Sequence, residues 1–193
     1  MVQLLNQTTD QLSIYPDRSW EQFKLVQKGL EGAPGVRLFY YGGVIEILMP
    51  GLEHEIFKKI IGYLIETFFF EKQIKVTPTG SVTQELAGQA SAQADESYCV
   101  GEAKPIPDLA IEVVFTSGGS NKLKRYEVLG VPEVWFWQDG IFRLYHLKQN
   151  GYEQIERSEI PELVDLDINL LSRCVLMGET DWLAAVKTFK AGL

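Results

Sequence analysis

Cysteine and histidine are scarce, two of each in 193 residues. Cys99 and Cys174 are too few for a disulfide framework, and neither lies in a Cys-x-x-Cys spacing that would suggest zinc or redox work. Reduced structural thiols are the reading that remains. Lysine and arginine are outnumbered by aspartate and glutamate, 18 to 26, for a net charge of -8. Indiscriminate, tight nucleic-acid binding needs clustered cations that release counterions, so this balance weighs against it and leaves room only for a local basic strip. Long apolar runs are missing too. The strongest, Ile56 to Phe70, is broken by Lys58, Lys59, Glu66 and Thr67 and falls short of a membrane span. The first residues lack the basic start and apolar core of a signal peptide, so a cytoplasmic protein is expected.

What is present suits one domain, since 46% hydrophobic residues supply a substantial core. Residues 1–18 read as a mobile lead with a turn at Tyr15-Pro16-Asp17. Ser19 followed by Gln22 has the form of a capping box, opening a short helix that Gly29 closes. Val36 to Tyr41 and Val44 to Met49 flank Gly42-Gly43, which predicts a tight primed hairpin and puts Glu46 on a strand. From Glu53 to Phe70, Ile56, Ile60, Leu64 and Phe68 repeat beside Phe57, Ile61 and Ile65, the wide stripe of a buried helix. His54 and Glu55 fall in its first turn, where the helix dipole favours a carboxylate.

Ile74 to Thr77 and Ser81 to Gln84 read as short strands, and Leu86 to Ala94, small and polar, as a mobile loop able to close over a ligand. After Phe115 the run TSGGSN reads as loop and helix start, with Ser120 or Asn121 capping a helix that ends near Leu129. Val134 to Trp137 is the next strand, so strand, helix and strand form a right-handed crossover. Ile141 to Leu147 and Tyr152 to Ile155 extend the sheet by antiparallel hairpins. Thr180 is expected to cap a last helix with Trp182, Leu183, Val186 and Phe189 inward. The class that follows is α+β, with a central mixed sheet flanked by helices.

The chemistry concentrates in the run DLAIEVVF. A two-residue period puts Leu109, Ile111, Val113 and Phe115 on a core face and Asp108, Ala110, Glu112 and Val114 on the other. Asp108 and Glu112 stand roughly 13 Å apart at the usual strand rise. That is far for one small cation, whose oxygen ligands sit at roughly 2.0 to 2.6 Å. A nearer partner exists if Asp95 to Val100 pairs antiparallel with Pro107 to Glu112: Asp95 then comes opposite Glu112, and Cys99 opposite Asp108. Opposite side chains have Cβ atoms roughly 4.5 to 5.5 Å apart, a workable span for two carboxylates sharing Mg²⁺ or Mn²⁺. A solvated hairpin edge is the plain alternative for the same acids.

At these residues the sequence resembles the Uma-type restriction endonuclease family of the PD-(D/E)XK nuclease superfamily. YYGGVIEILMPGLEHE, ADESYCV, PIPDLAIEVV, GVPEVWFW and GETDW occur in the family's order and spacing, and the resemblance runs from about Val36 to Phe189. It implies a single restriction-endonuclease-like domain, a Mg²⁺-dependent (or Mn²⁺-dependent) endonuclease acting on DNA and, because many nucleases of the superfamily are dimers, a homodimer. By position, the family's metal-binding Asp falls on Asp95 and its Glu on Glu112. His54 matches the helix-start histidine, Glu46 the acid of the preceding hairpin, and Asp108 the Asp of a second Pro-Asp pair.

Two positions depart from the pattern. Val114 stands where a lysine two residues after the Glu would orient the attacking water, and Ala94 stands where a proline precedes the first Asp. Lys122, which shares a helical face with Tyr126 and Leu129, is the candidate to reach the site instead, with Lys124 in reserve. A solvated cation is the plain reading of either. Tyr126, Trp135, Phe136 and Trp137 suit base stacking but read as core, Cys99 as filler, and His146 has no assigned role. A catalytically weak nucleic-acid-binding or regulatory protein that keeps the fold is the other reading, favoured by Val114 and the acidic balance.

Overall fold

The computed structural model describes residues 8–115 and 119–193, and of residues 119–121 the backbone alone. It is of the α+β class, with five α-helices and two sheets among the described residues. The first element departs from expectation. Instead of a loose lead, Gln11–Tyr15 forms strand β1. Its fate is decided far along the chain, by the free edge of β3 (Val44–Met49), to which it pairs antiparallel from Gln11 opposite Met49 to Tyr15 opposite Ile45. Residues 1–7 lie outside the described residues.

Helix α1 (Trp20–Gly29) opens as its capping box predicts: the Gln22 N–H donates to Ser19 Oγ, and the Ser19 N–H to Gln22 Oε1. β2 (Arg37–Tyr41) and β3 close a hairpin with Tyr41 opposite Val44, and Gly42 and Gly43 hold φ of 56° and 77°, the left-handed conformation a primed turn demands. Helix α2 (Leu52–Glu71) buries His54 with Phe57, Ile60, Ile61, Leu64, Ile65, Phe68 and Phe69. Ile56, expected in that stripe, is 37% exposed, because the buried arc is centred on the row through His54 and Ile61.

After β4 (Val76–Pro78) and β5 (Thr83–Leu86), the expected loop contains strand β6 (Ala90–Gln93). Alanine and serine are poor strand formers, yet Ala90, Ser91 and Ala92 are fully buried, and only small side chains fit between β2 and β5. A lid over a ligand is therefore not what this segment forms. β7 (Glu96–Val100) and β8 (Leu109–Val113) make the predicted hairpin, and α3 (Gly119–Leu129) leads to β9 (Glu133–Gln138), parallel to β8. The cap expected at Ser120 or Asn121 rests on side chains that lie outside the described residues.

β10 (Ile141–Lys148) and β11 (Gly151–Ile155) follow as expected. Helix α4 (Ile168–Thr180), capped by Asp167, is an element beyond those expected, and Leu170, Leu171, Cys174, Val175 and Gly178 carry its helical spacing. Thr180 belongs to its end, so Asp181 rather than Thr180 caps α5 (Trp182–Ala191). Phe189 is buried there, but Trp182 and Leu183 are exposed.

The strands form two sheets, ordered β1-β3-β2-β6-β5 and β11-β10-β9-β8-β7-β4, where one central sheet was expected. The first is wholly antiparallel; the second is mixed, β8 and β9 being its parallel pair. The last of the chain's crossings between them is at Ala94-Asp95, the two residues separating β6 from β7. Both faces of β8 are core: Leu109, Ile111 and Val113 pack with α2, while Ala110 and Val114 pack with Tyr126 and Leu129 of α3. Phe115 is 44% exposed. Among the described residues no helix is long and apolar enough to cross a membrane.

Candidate active site

The register places the acids. Glu96 pairs with Ile111, Ser97 with Ala110 and Tyr98 with Leu109, the register in which Asp95 follows next to Glu112. At that point the ladder bends. The Asp95 N–H donates to the Ile111 carbonyl at 3.0 Å, and Asp95 Oδ2 accepts the Val113 N–H at 2.6 Å. The carboxylate at the crossing between the sheets is thereby tied to the backbone immediately after Glu112.

Asp95 Oδ1 faces His54 Nε2 at 2.8 Å and forms an ion pair with the Arg37 guanidinium. All three residues are buried. A carboxylate at this depth needs such partners, because burial without them is costly. Arg37 reaches on to Glu55 at 3.1 Å, so Glu55 does more than match the helix dipole. The far side of the histidine is also engaged: Nδ1 lies 2.9 Å from Asp10 Oδ2, and Asp10 Oδ1 accepts the Gly51 N–H at 2.9 Å. Burial alone lifts the Asp10 carboxyl, but the hydrogen bonds from His54 and Gly51, with the charges of His54 and Lys122, outweigh it and hold the group below its usual range.

Glu112 is fully buried. Its Oε1 accepts the Tyr126 hydroxyl, and its Oε2 is buried with no hydrogen-bond partner. Lys122 Nζ stands 3.9 Å from that oxygen. Lys122 and Tyr126 sit four residues apart on α3, hence on one face, and that face meets Glu112. Burial pushes the Lys122 ammonium below the usual lysine range, with the Glu112 charge pulling it back up. Burial likewise drives the Tyr126 phenol well above its ordinary value, and the Glu112 charge adds to it. Tyr126 is therefore a proton-holding donor to one carboxylate oxygen, which leaves the other for Lys122 or a ligand.

The remaining predicted residues separate. Glu46 pairs with Arg125 at 2.9 Å, and that guanidinium lies 4.0 Å over the Phe39 ring. Together Glu46 and Arg125 line a small cleft of about 120 Å³ with Tyr41, Gly42 and Val44. Glu46 lies within electrostatic reach of Lys122 but makes its hydrogen bond to Arg125. Asp108 is not brought to the site: it accepts the Val100 N–H at 2.7 Å and pairs with Lys104 at 2.6 Å, at the other end of β8. Lys124, the reserve lysine, pairs with Glu127 on the surface. Trp135, Phe136 and Trp137 are core, as expected, and Cys99 and Cys174 are buried free thiols.

Among the described residues no group of three or more His, Cys, Asp and Glu side chains is gathered as a ready cation cage. The residues present still fit a hydrated divalent ion. Glu112 Oε2 has an ion pair with Lys122 but no hydrogen bond, and Asp95 Oδ2 accepts one N–H, so each carboxylate retains acceptor capacity. Mg²⁺ is commonly held by one or two carboxylates with waters filling its octahedron. Asp10 and Arg37 were not among the residues the sequence pattern singles out. Arg37 leaves a faint signal, a lone cation at the head of an apolar strand, whereas nothing local marks Asp10.

No curated protein matches the chain. One family does match, Uma2, described as "Putative restriction endonuclease", over residues 20–172, a span that contains Arg37, Glu46, His54, Asp95, Glu112 and Lys122. With that match covering most of its length, on a fold that buries Glu112 beside Lys122, the chain belongs to the Uma2 family of nucleases.

Proposed function

We propose that the protein hydrolyses phosphodiester bonds of DNA with the help of a divalent cation, Mg²⁺ or Mn²⁺. The observation that carries this reading is the buried Glu112 Oε2, which has no hydrogen bond, stands beside Lys122 and is next in register to Asp95. With an ammonium at 3.9 Å and no hydrogen bond, that buried oxygen keeps acceptor capacity that a hydrated cation would use. When bound, such an ion supplies Lewis acidity and lowers the pKa of water at the scissile phosphate.

The chain's own residues have distinct tasks in this scheme. Asp95 and Glu112 would hold the cation. Tyr126 orients Glu112 by donating to Oε1, so that Oε2 stays available. Lys122 takes the place of the lysine missing at Val114: approaching from α3 instead of β8, it reaches the same carboxylate and is placed to orient the attacking water and to offset negative charge on the phosphate. Arg37 and His54 hold Asp95. The net charge of -8 restricts contact to a local surface, and a homodimer is the expected assembly by family resemblance. Two buried free thiols suit a reducing, cytoplasmic setting.

One observation favours a second reading, a nucleic-acid-binding protein with weak catalysis: Arg37 already neutralises Asp95 and would compete with a cation for it. Incubating the protein with supercoiled, linear and branched DNA in Mg²⁺, Mn²⁺ or EDTA, beside Glu112→Ala, separates the two. Metal-dependent cutting that vanishes in the variant is the expected result. Salt-sensitive binding without cutting on any substrate would select the second reading, and absence of both metal and DNA binding would overturn both.

A further inference from the structure

Asp10 lies outside the span that matches the family, and no local pattern distinguishes it. It nevertheless joins two elements of the site. We infer that Asp10 is a positioning residue: through His54 it fixes the Asp95 carboxylate, which makes β1 and the residues just before it a structural part of the candidate active site. The inference rests on the hydrolytic reading of Asp95 and Glu112.

The starting point is the bare end of α2. Its N-cap is Gly51, which has no side chain to receive the helix's first N–H groups. Asp10 Oδ1 supplies an acceptor there, to the N–H of Gly51 itself, from 41 residues away. The same carboxylate then meets His54 with its other oxygen. An ionised carboxylate only accepts hydrogen bonds, so Nδ1 donates to Asp10 and, by the same rule, Nε2 donates to Asp95. With Nδ1 anchored, the ring plane is set and Nε2 points at Asp95 Oδ1. Without the anchor the ring can turn about χ2, and Asp95 keeps only Arg37 and the Val113 N–H.

The segment carrying Asp10 is held closely. Five rungs tie β1 to β3, and a Cβ on Gly51 would lie 2.6 Å from the Thr8 carbonyl oxygen and 2.6 Å from the Thr9 carbonyl carbon. Backbone stands where a side chain would have to be. Glycine at 51 therefore permits the contact that brings Asp10 to the helix end, and Gly51→Ala displaces the segment while removing no hydrogen-bonding group.

The chain's two histidines make a direct test practical. Ring ¹⁵N spectra contain two imidazole systems, and His146→Gln assigns the other to His54. In the wild type the His54 Nδ1–H signal is expected to persist against exchange with water. Asp10→Asn, close to isosteric and still able to accept from Gly51, is expected to abolish that signal, as is Gly51→Ala. Mn²⁺ affinity, read by electron paramagnetic resonance, should fall roughly 10- to 100-fold, the usual cost of losing a residue that orients a ligand. An unchanged Nδ1–H signal in Asp10→Asn overturns the inference, and so does a lost signal with unmoved Mn²⁺ affinity. If Asp10→Asn does not fold, Gly51→Ala carries the same test. If the wild type binds no Mn²⁺, the hydrolytic reading fails on its own account; the Nδ1–H signal then still decides whether Asp10 positions His54.

Discussion

Asp108 and Glu112 stand four residues apart at the two ends of β8, and by strand alternation they face the same way. Asp108 has a side chain 22% exposed, a backbone N–H donor and a lysine on both oxygens. Glu112 is fully buried and keeps one oxygen without a hydrogen bond, its ion-pair partner Lys122 standing 3.9 Å away. Glu133, on the neighbouring strand, sharpens the contrast: equally buried, it receives Trp135 Nε1 on one oxygen and the Glu159 N–H on the other, with His146 beside it. Depth alone therefore does not mark a site in this protein. Glu133 has its hydrogen bonds complete, whereas Glu112 at equal depth has one oxygen with no hydrogen bond and an ammonium 3.9 Å away, which is the difference the proposed function rests on.

The largest effect is expected where the incomplete end is held together. Arg37→Ala leaves Asp95 buried without its cation and should cost about 3 to 5 kcal/mol in a denaturant titration. Loss of less than about 1 kcal/mol would mean that His54 and the Val113 N–H suffice. Next comes the pair itself. Glu112→Ala should lower metal-dependent cleavage by more than about 100-fold, beyond what loss of a merely supporting residue costs. Asp108→Ala is the counterpart: it should leave cleavage intact and reduce stability by about 1 to 2 kcal/mol, the scale of lost hydrogen bonds to a charged group. Equal loss of cleavage in the two variants would break the distinction drawn from β8.

The smallest effect is a pH dependence. Because Asp10 titrates below its unfolded value of 3.8, the unfolded chain takes up the proton first as pH falls. Its contribution is complete above that value and is lost as pH drops through the lowered folded one. Thermal melts of wild type and Asp10→Ala should accordingly stay apart above about pH 3.8 and draw together as pH falls below it through the lowered folded value. Curves that stay parallel through this range would remove Asp10 from the account.

The hairpin at the centre of the site was legible because strand alternation and residue counting are local rules. The pairing of Glu96 with Ile111 is the one that counting from Asp95 and Glu112 implies. The same holds for Lys122 and Tyr126, whose four-residue spacing puts both on one face of α3 by the helical period alone. What stayed hidden depends on distant edges. β1 is a strand because β3 offers it an edge, and β6 is a strand because β2 and β5 close around three small residues, against their propensity. Asp10 and Arg37 reach the site across those pairings, so no window of sequence short enough to read by pattern contains them together with Asp95. Helix α4 differs in kind, since its spacing and its Asp167 cap are local signals in the sequence itself.

The close approach at Gly51 also bears on how the protein can be handled. A deletion through residue 10 would take away more than a tail, because it uncovers the end of α2 and opens one side of a buried imidazole. A truncated chain could therefore remain folded through its second sheet and yet score as inactive.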